Sequence, residues 1–141
     1  LAFSRWPRRL AIALLCFGLT CKAEQRIETG PYDIYYTAFP SMLVPAETAQ
    51  QHKITRSPNR ILLNIAVRND ETPTQVGITG TSLNLLNQSQ ILNFTEIKEQ
   101  SAIYYLAEVI NHEQDTLRFS ITIEFPTDHP NYELTFQRQY Y

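Results

Sequence analysis

Arg56-Ser-Pro-Asn-Arg-Ile-Leu-Leu-Asn-Ile-Ala-Val-Arg68 is the stretch around which the fold is organised. It opens as a basic turn. Proline presets its own φ at Pro58, and Asn59 tolerates unusual backbone geometry. It then becomes a seven-residue apolar run, Ile61 to Val67, broken only by Asn64. That length suits a strand better than a helix, and an apolar residue at nearly every position predicts burial on both faces. A strand buried on both faces sits inside a sheet, so the remaining elements must pack around it.

Working outward, Tyr32 to Phe39 alternates after the turn signal Gly30-Pro31 and predicts a first strand. Pro45-Ala-Glu-Thr-Ala-Gln-Gln51 is the single helix-like piece, about two turns long, because proline suits a first turn and Ala, Glu and Gln propagate it. It is expected to be a connector outside the core. Downstream, Thr74 to Asn84 is extended, with Gly77 and Gly80 marking a bulge or a close backbone approach. Gln90 to Ile97 is expected to form one strand, hairpinned with Ser101 to Val109. Thr116 to Phe125 has the clearest period of two. Leu117, Phe119, Ile121, Ile123 and Phe125 share one face, and Arg118, Ser120, Thr122 and Glu124 the other. Tyr132, Leu134 and Phe136 alternate again. The fold expected from these strands is all-β: an antiparallel immunoglobulin-like β-sandwich of about seven strands with one short helical connector.

The first residues read as an address. Arg5, Arg8 and Arg9 precede the apolar run Leu10 to Leu19, which is too short to span a bilayer, and Ala23 offers a small residue for cleavage. Residues 1–23 are therefore expected to be a cleaved signal peptide, 24–141 a single domain, and the destination the periplasm. Both cysteines, Cys16 and Cys21, lie before Ala23, so the exported domain would have no thiol for catalysis or cross-linking. From Glu24 onward eight basic residues face fourteen acidic ones, a formal charge of −6. Such a balance argues against nucleic acid as a partner. No transmembrane helix is expected after residue 23.

Catalytic constellations are missing from the pattern. His52, His112 and His129 share no metal-ligand spacing and are expected to be exposed loop residues, so no metal and no cofactor is assigned. There is no Gly-x-Ser-x-Gly elbow, and Gly77-Ile-Thr-Gly80 lacks the spacing and lysine of a phosphate loop. A lipid-facing barrel strand ending in Tyr140-Tyr141 fails because Gln139, Gln137 and Thr135 are polar. One weak ligand-binding candidate stands out against the acidic background: Lys53, Arg56, Asn59 and Arg60. The plainer expectation is that Arg56 and Arg60 pin their own turn, through carboxylates or the carbonyls of Ser57-Pro58.

Tyr35-Tyr-Thr-Ala-Phe39, the Arg56 to Val67 stretch, Ala102-Ile-Tyr-Tyr-Leu-Ala-Glu108, Leu117-Arg-Phe119 and the aromatic Tyr140-Tyr141 end resemble a secreted gammaproteobacterial family, domain of unknown function 4426. The resemblance covers nearly all of the expected domain. Its motifs are strands and turns, and it brings no catalytic residues. The function expected is a non-enzymatic binding or adaptor module of the cell envelope, with an envelope protein or peptide as partner. The alternatives are a small envelope hydrolase or transferase with a site in the end loops, and a purely structural envelope component.

Overall fold

In the computed structural model, which describes residues 24–112 and 115–140, the organising stretch runs through the middle of a sheet. The expected signal peptide lies outside the described residues. In chain order the strands are Gln25–Thr29 (β1), Tyr32–Pro40 (β2), Arg60–Asn69 (β3), Thr72–Pro73 (β4), Gly77–Asn84 (β5), Ser89–Leu92 (β6), Thr95–Glu99 (β7), Ala102–Ile110 (β8), Leu117–Glu124 (β9) and Tyr132–Arg138 (β10). A 3-10 turn, Ser41–Leu43, and a helix, Ala46–Gln51 (α1), join β2 to β3.

All the pairings are antiparallel. One sheet has the order β1-β2-β3-β8-β7, with β4 beside the end of β3, and the other has the order β10-β9-β5-β6. Setting β1, β4 and β6 aside, β2-β3-β8-β7 and β10-β9-β5 reproduce the A-B-E-D and G-F-C orders of an immunoglobulin-like sandwich. Six of the seven expected strands are among these, and β7 stands where the seventh, Gln90 to Ile97, was expected. The three additional ones are a polar hairpin partner for β2, a two-residue fragment and an edge strand.

Two cores explain why β3 is apolar on both faces. Ile61, Leu63, Ile65 and Val67 point between the sheets, against the buried row Leu117, Phe119, Ile121 and Ile123 of β9. Leu62 points the other way, with Phe39, Tyr104 and Leu106, and is covered by Val44 and Ala49 of the β2–β3 connector. The helix is therefore a lid over a second small core, contrary to the expectation that it stands outside. Burial of one Ile, Leu or Phe is worth about 1.5–3 kcal/mol, so the lid adds materially to stability. Asn64 is also buried here, and its Oδ1 has no hydrogen-bond partner among the described residues.

The expected single strand from Gln90 to Ile97 is a correction. β6 pairs with β5 in one sheet, and β7 pairs with β8 in the other. The chain changes sheets at Asn93-Phe94, as strands at sandwich corners do. The close approach expected at the glycines is real at Gly80: a Cβ there would sit 2.7 Å from the Ser120 carbonyl oxygen.

At the C-terminal side, Tyr140 Oη donates to the Ala38 carbonyl at 3.0 Å and ties the β10 end to the opposite sheet. Burial pushes this hydroxyl above the ordinary tyrosine value of 10.0, while Arg138 pulls it partway back. The folded state thus favours the neutral form. Stability from this group is intact below pH 10 and declines as pH rises beyond it, because the unfolded chain ionises first. Tyr140→Phe should cost about 1 kcal/mol at neutral pH and lose less stability than the parent between pH 8 and 11. Urea titrations of both chains at the two pH values check this. An equally steep alkaline loss in the variant would contradict it.

Candidate functional site

The ladders decide which loops meet. Pro40 pairs with Ile61, Arg60 with Ile110, Leu83 with Ser89, and Asn84 with Leu117. One end of the sandwich therefore gathers the β2–β3 connector, the β8–β9 loop and the β5–β6 hairpin. Arg56, Asn59 and Arg60 lie at this end, with Lys53 close by after α1.

Each of the four has a distinct local role. Lys53 has a φ of 57° and ends α1: its N–H donates to Gln50, and the Ile54 N–H donates to Ala49. That is the Schellman arrangement, with a lysine where glycine is usual. Pro58 sits second in a turn closed by the Arg60 N–H on the Ser57 carbonyl at 3.1 Å. The Asn59 carbonyl accepts from the Asn111 N–H at 2.7 Å, joining the turn to the β8–β9 loop. Arg56 is exposed, and its Nη2 donates to the Met42 carbonyl at 3.2 Å.

The arginines do not pin the turn as expected. Among the described residues neither forms an ion pair, and Arg56 Nη2 bonds the Met42 carbonyl of the 3-10 turn. The clamp is Ser41, which is fully buried: its Oγ accepts from the Ser57 N–H at 2.9 Å and donates to the Ser57 carbonyl at 3.0 Å. Sequence reasoning missed it, since a serine after a strand-ending proline carries no signal of its own.

Between the two sheets this end opens into a cleft of about 290 Å³. Its polar lining is Ser82, Asn84, Gln88, Ser89, Gln90, Asn111 and His112, with no carboxylate, lysine or arginine. Asn84 Oδ1 accepts from the N–H groups of Leu86 and Gln88, shaping the hairpin. Asn111 bonds both the N–H and the carbonyl of Asp115. Ser82 is 2% exposed.

The exposed apolar residues carry the stronger signal. Six large apolar side chains are exposed among the described residues: Met42, Leu43, Leu85, Leu86, Ile91 and Ile110. All belong to this end or to the edge strand adjoining it, and Leu86 and Ile91 are 69% and 78% exposed. In the sequence, Ile91 falls within an expected strand and the other five fall between the expected elements.

The opposite end has a depression of about 560 Å³ lined by Asn69, Thr72 to Gln75 and Pro126, beside an aromatic cluster. Tyr32 stacks on Phe125 with centroids 4.2 Å apart, and the His129 ring meets both edge-on. His129 Nε2 lies 3.0 Å from Thr29 Oγ1. Of the three histidines expected to be exposed, only His112 is; His52 and His129 are half-buried. Nearby, Glu96 accepts from Gln75 and from the Tyr105 hydroxyl, and the Val76 N–H donates to that hydroxyl. The Gln75 bond is the main cause of a Glu96 carboxyl held below its usual range. Among the described residues no three His, Cys, Asp or Glu side chains come together as a metal site, and no helix is long and apolar enough to cross a membrane.

The family model for a domain of unknown function, DUF4426, matches residues 26–141. A crystal structure of a DUF4426 family protein from Pseudomonas aeruginosa PAO1 superposes with a TM-score of 0.73 at 25% identity, covering 84% of this chain and 94% of that one. A copper-bound variant of FetP from uropathogenic Escherichia coli superposes with a TM-score of 0.57 at 10% identity, covering 84% and 95%. The as-isolated FetP, expressed in the periplasm, gives 0.53 at 10% identity, covering 84% and 92%. At 10% identity the FetP likeness is one of fold. No curated protein matches the chain.

Proposed function

We propose, from the premise that the chain belongs to the DUF4426 family, that it is a periplasmic, non-enzymatic binding module that holds an envelope protein or peptide at the β3–β8 end of its sandwich. The observation that carries this is the gathering of the six exposed large apolar side chains at this end and on the edge strand adjoining it, on the side of Lys53, Arg56 and Arg60. Clustered exposed apolar residues mark interaction surfaces, whereas scattered ones do not. The flanking cations add steering and selectivity for a partner with acidic groups. The periplasmic placement is supported by the leader-like pattern of residues 1–23 and by the periplasmic expression of the FetP neighbour. The non-catalytic reading is supported by the composition of the cleft, whose amides are occupied in shaping the hairpin and the β8–β9 loop.

The triple variant Met42→Ser, Leu43→Ser, Leu86→Ser tests the proposal. Exposed substitutions usually stay within about 0.5 kcal/mol each, so the fold should hold. Recovery of the partner by chemical crosslinking in intact cells should be lost. A folded triple variant that recovers the same partner at the parent level would overturn the proposal.

A further inference from the structure

β6 ends its sheet. The order is β10-β9-β5-β6, so β5 lies on one side of β6 and no strand among the described residues lies on the other. The hairpin shows which main-chain groups face that side. The Asn84 N–H donates to the Gln88 carbonyl at 3.1 Å, which makes Asn84 and Gln88 a bonded pair. Bonded and unbonded pairs alternate along an antiparallel ladder. In the register of β5 with β6, Gln90 and Leu92 therefore direct their main-chain groups to β5, and Ser89 and Ile91 direct theirs outward. Leu85 to Ser89, Ile91 and Asn93 are all exposed. The inward side is fixed: Leu92 is buried, and the Gln90 carboxamide exchanges both its bonds with Ile110 of β8.

Edges of this kind are normally protected by charge. β1 carries Arg26 and Glu28, β7 carries Glu96, Lys98 and Glu99, and β10 carries Glu133 and Arg138. β6 carries none, and no charged residue occurs from Thr72 to Thr95. The charges of its own sheet stand on β9 and β10, beyond β5. What β6 presents instead is Ile91, 78% exposed, with Leu85 and Leu86 in the adjoining hairpin.

Charge also selects the occupant. From Glu24 onward the chain has a formal charge of −6, so two copies repel one another except where charge is absent. A foreign strand is chosen by charges or side-chain pockets on the edge it joins, and β6 has neither charge nor pocket on its outer side. A second copy brings the same neutral edge and is present wherever the chain is. Two-fold contacts, in which one patch meets itself, are the commonest in oligomers.

We infer that β6 pairs antiparallel with β6 of a second copy, about a two-fold axis at Gln90, so that the two four-stranded sheets become one continuous sheet. Ser89 of each copy then faces Ile91 of the other and exchanges both main-chain bonds with it. The two Ile91 side chains become diagonal neighbours on the outer face, out of water. The inference rests on the binding end proposed above and names its occupant at β6.

Sedimentation equilibrium of the chain recovered from the periplasm tests this. The mass should rise with concentration from that of one chain to that of two. Hydrogen exchange at the Ser89 and Ile91 amides should slow as the dimer forms, while the Gln90 amide, bonded to β5, is slow throughout. Ile91→Pro removes an outward N–H and leaves the β5 ladder intact. Two bonds vanish per dimer, so the dissociation constant should rise about tenfold or more. Ile91→Lys should weaken the dimer similarly and decides the matter if Ile91→Pro does not fold. Adding Ser89→Glu to Ile91→Lys sets a carboxylate opposite an ammonium on each side of the axis, and should restore the dimer. The mass of one chain at every concentration, a dimer that Ile91→Lys leaves unchanged, or a double variant no tighter than Ile91→Lys alone would overturn the inference. A monomeric chain whose Leu86 still crosslinks to another protein in cells removes the β6 dimer alone, whereas a monomeric chain with no such product removes the binding end as well.

Discussion

Phe119→Asp is expected to unfold the domain, while Ser120→Asp leaves it folded. Phe119 is 1% exposed, stacks on Phe136 at 4.8 Å, and continues through Phe136 to Tyr36 at 4.6 Å. Loss of a buried aromatic costs about 3–5 kcal/mol. The new carboxylate must in addition be desolvated or protonated in a core that offers it no partner. Against a typical total stability of about 5–15 kcal/mol, that leaves little or none. Ser120 is the next residue on the same strand and points to solvent, in register with Thr135 and Thr81 on the outer face. Circular dichroism and urea unfolding of the two variants check the pair. Similar losses at both positions would contradict the two-sided character of β9, and the sandwich with it.

The next largest effect is expected at a residue with no sequence signature. Ser41→Ala removes the hydroxyl that satisfies both main-chain groups of Ser57. The Ser57 carbonyl keeps the Arg60 N–H, so the Ser57 N–H is the group left unpaired, at a cost of about 1–3 kcal/mol. The β2–β3 connector, which covers the second core through Val44 and Ala49, should loosen, and hydrogen exchange at Ser57 should accelerate. The double change Arg56→Ala, Arg60→Ala makes the contrast. Its one side-chain bond to the main chain is exposed, so its cost should stay within about 1 kcal/mol. Denaturant midpoints order the two variants. A larger loss in the arginine pair than in Ser41→Ala would restore the arginines as the pins of the turn. With stability preserved, the same pair becomes a clean probe of binding.

What could be read in the sequence was whatever repeats along the chain. The five large apolar residues of β9 show their own face, and the unbroken run of β3 shows that both of its sides are covered. Gly80 announced a close approach because a strand interior without a side chain needs a reason. What could not be read depends on neighbours distant in sequence. Gln25–Thr29 has one apolar residue and pairs through its main chain, so no periodicity marks it. The sheet change at Asn93-Phe94 carries no glycine or proline to mark it. A leucine looks the same in sequence whether buried or exposed, so Leu85, Leu86 and Ile91 gave no hint of a surface. The basic turn was visible as a charge contrast. Its clamp was not, because Ser41 acts across 16 residues of chain.

The central claim, a partner held at the β3–β8 end, is tested most directly by site-resolved photocrosslinking in the periplasm. A photoreactive residue is placed singly at Met42, Leu86 and Ile91, and at Asp128 and Thr72 on the far end, and the crosslinked products are compared. The account predicts one shared product from the first three positions and none of it from the last two. The same product from Asp128 and Thr72, with Met42, Leu86 and Ile91 silent, would contradict it.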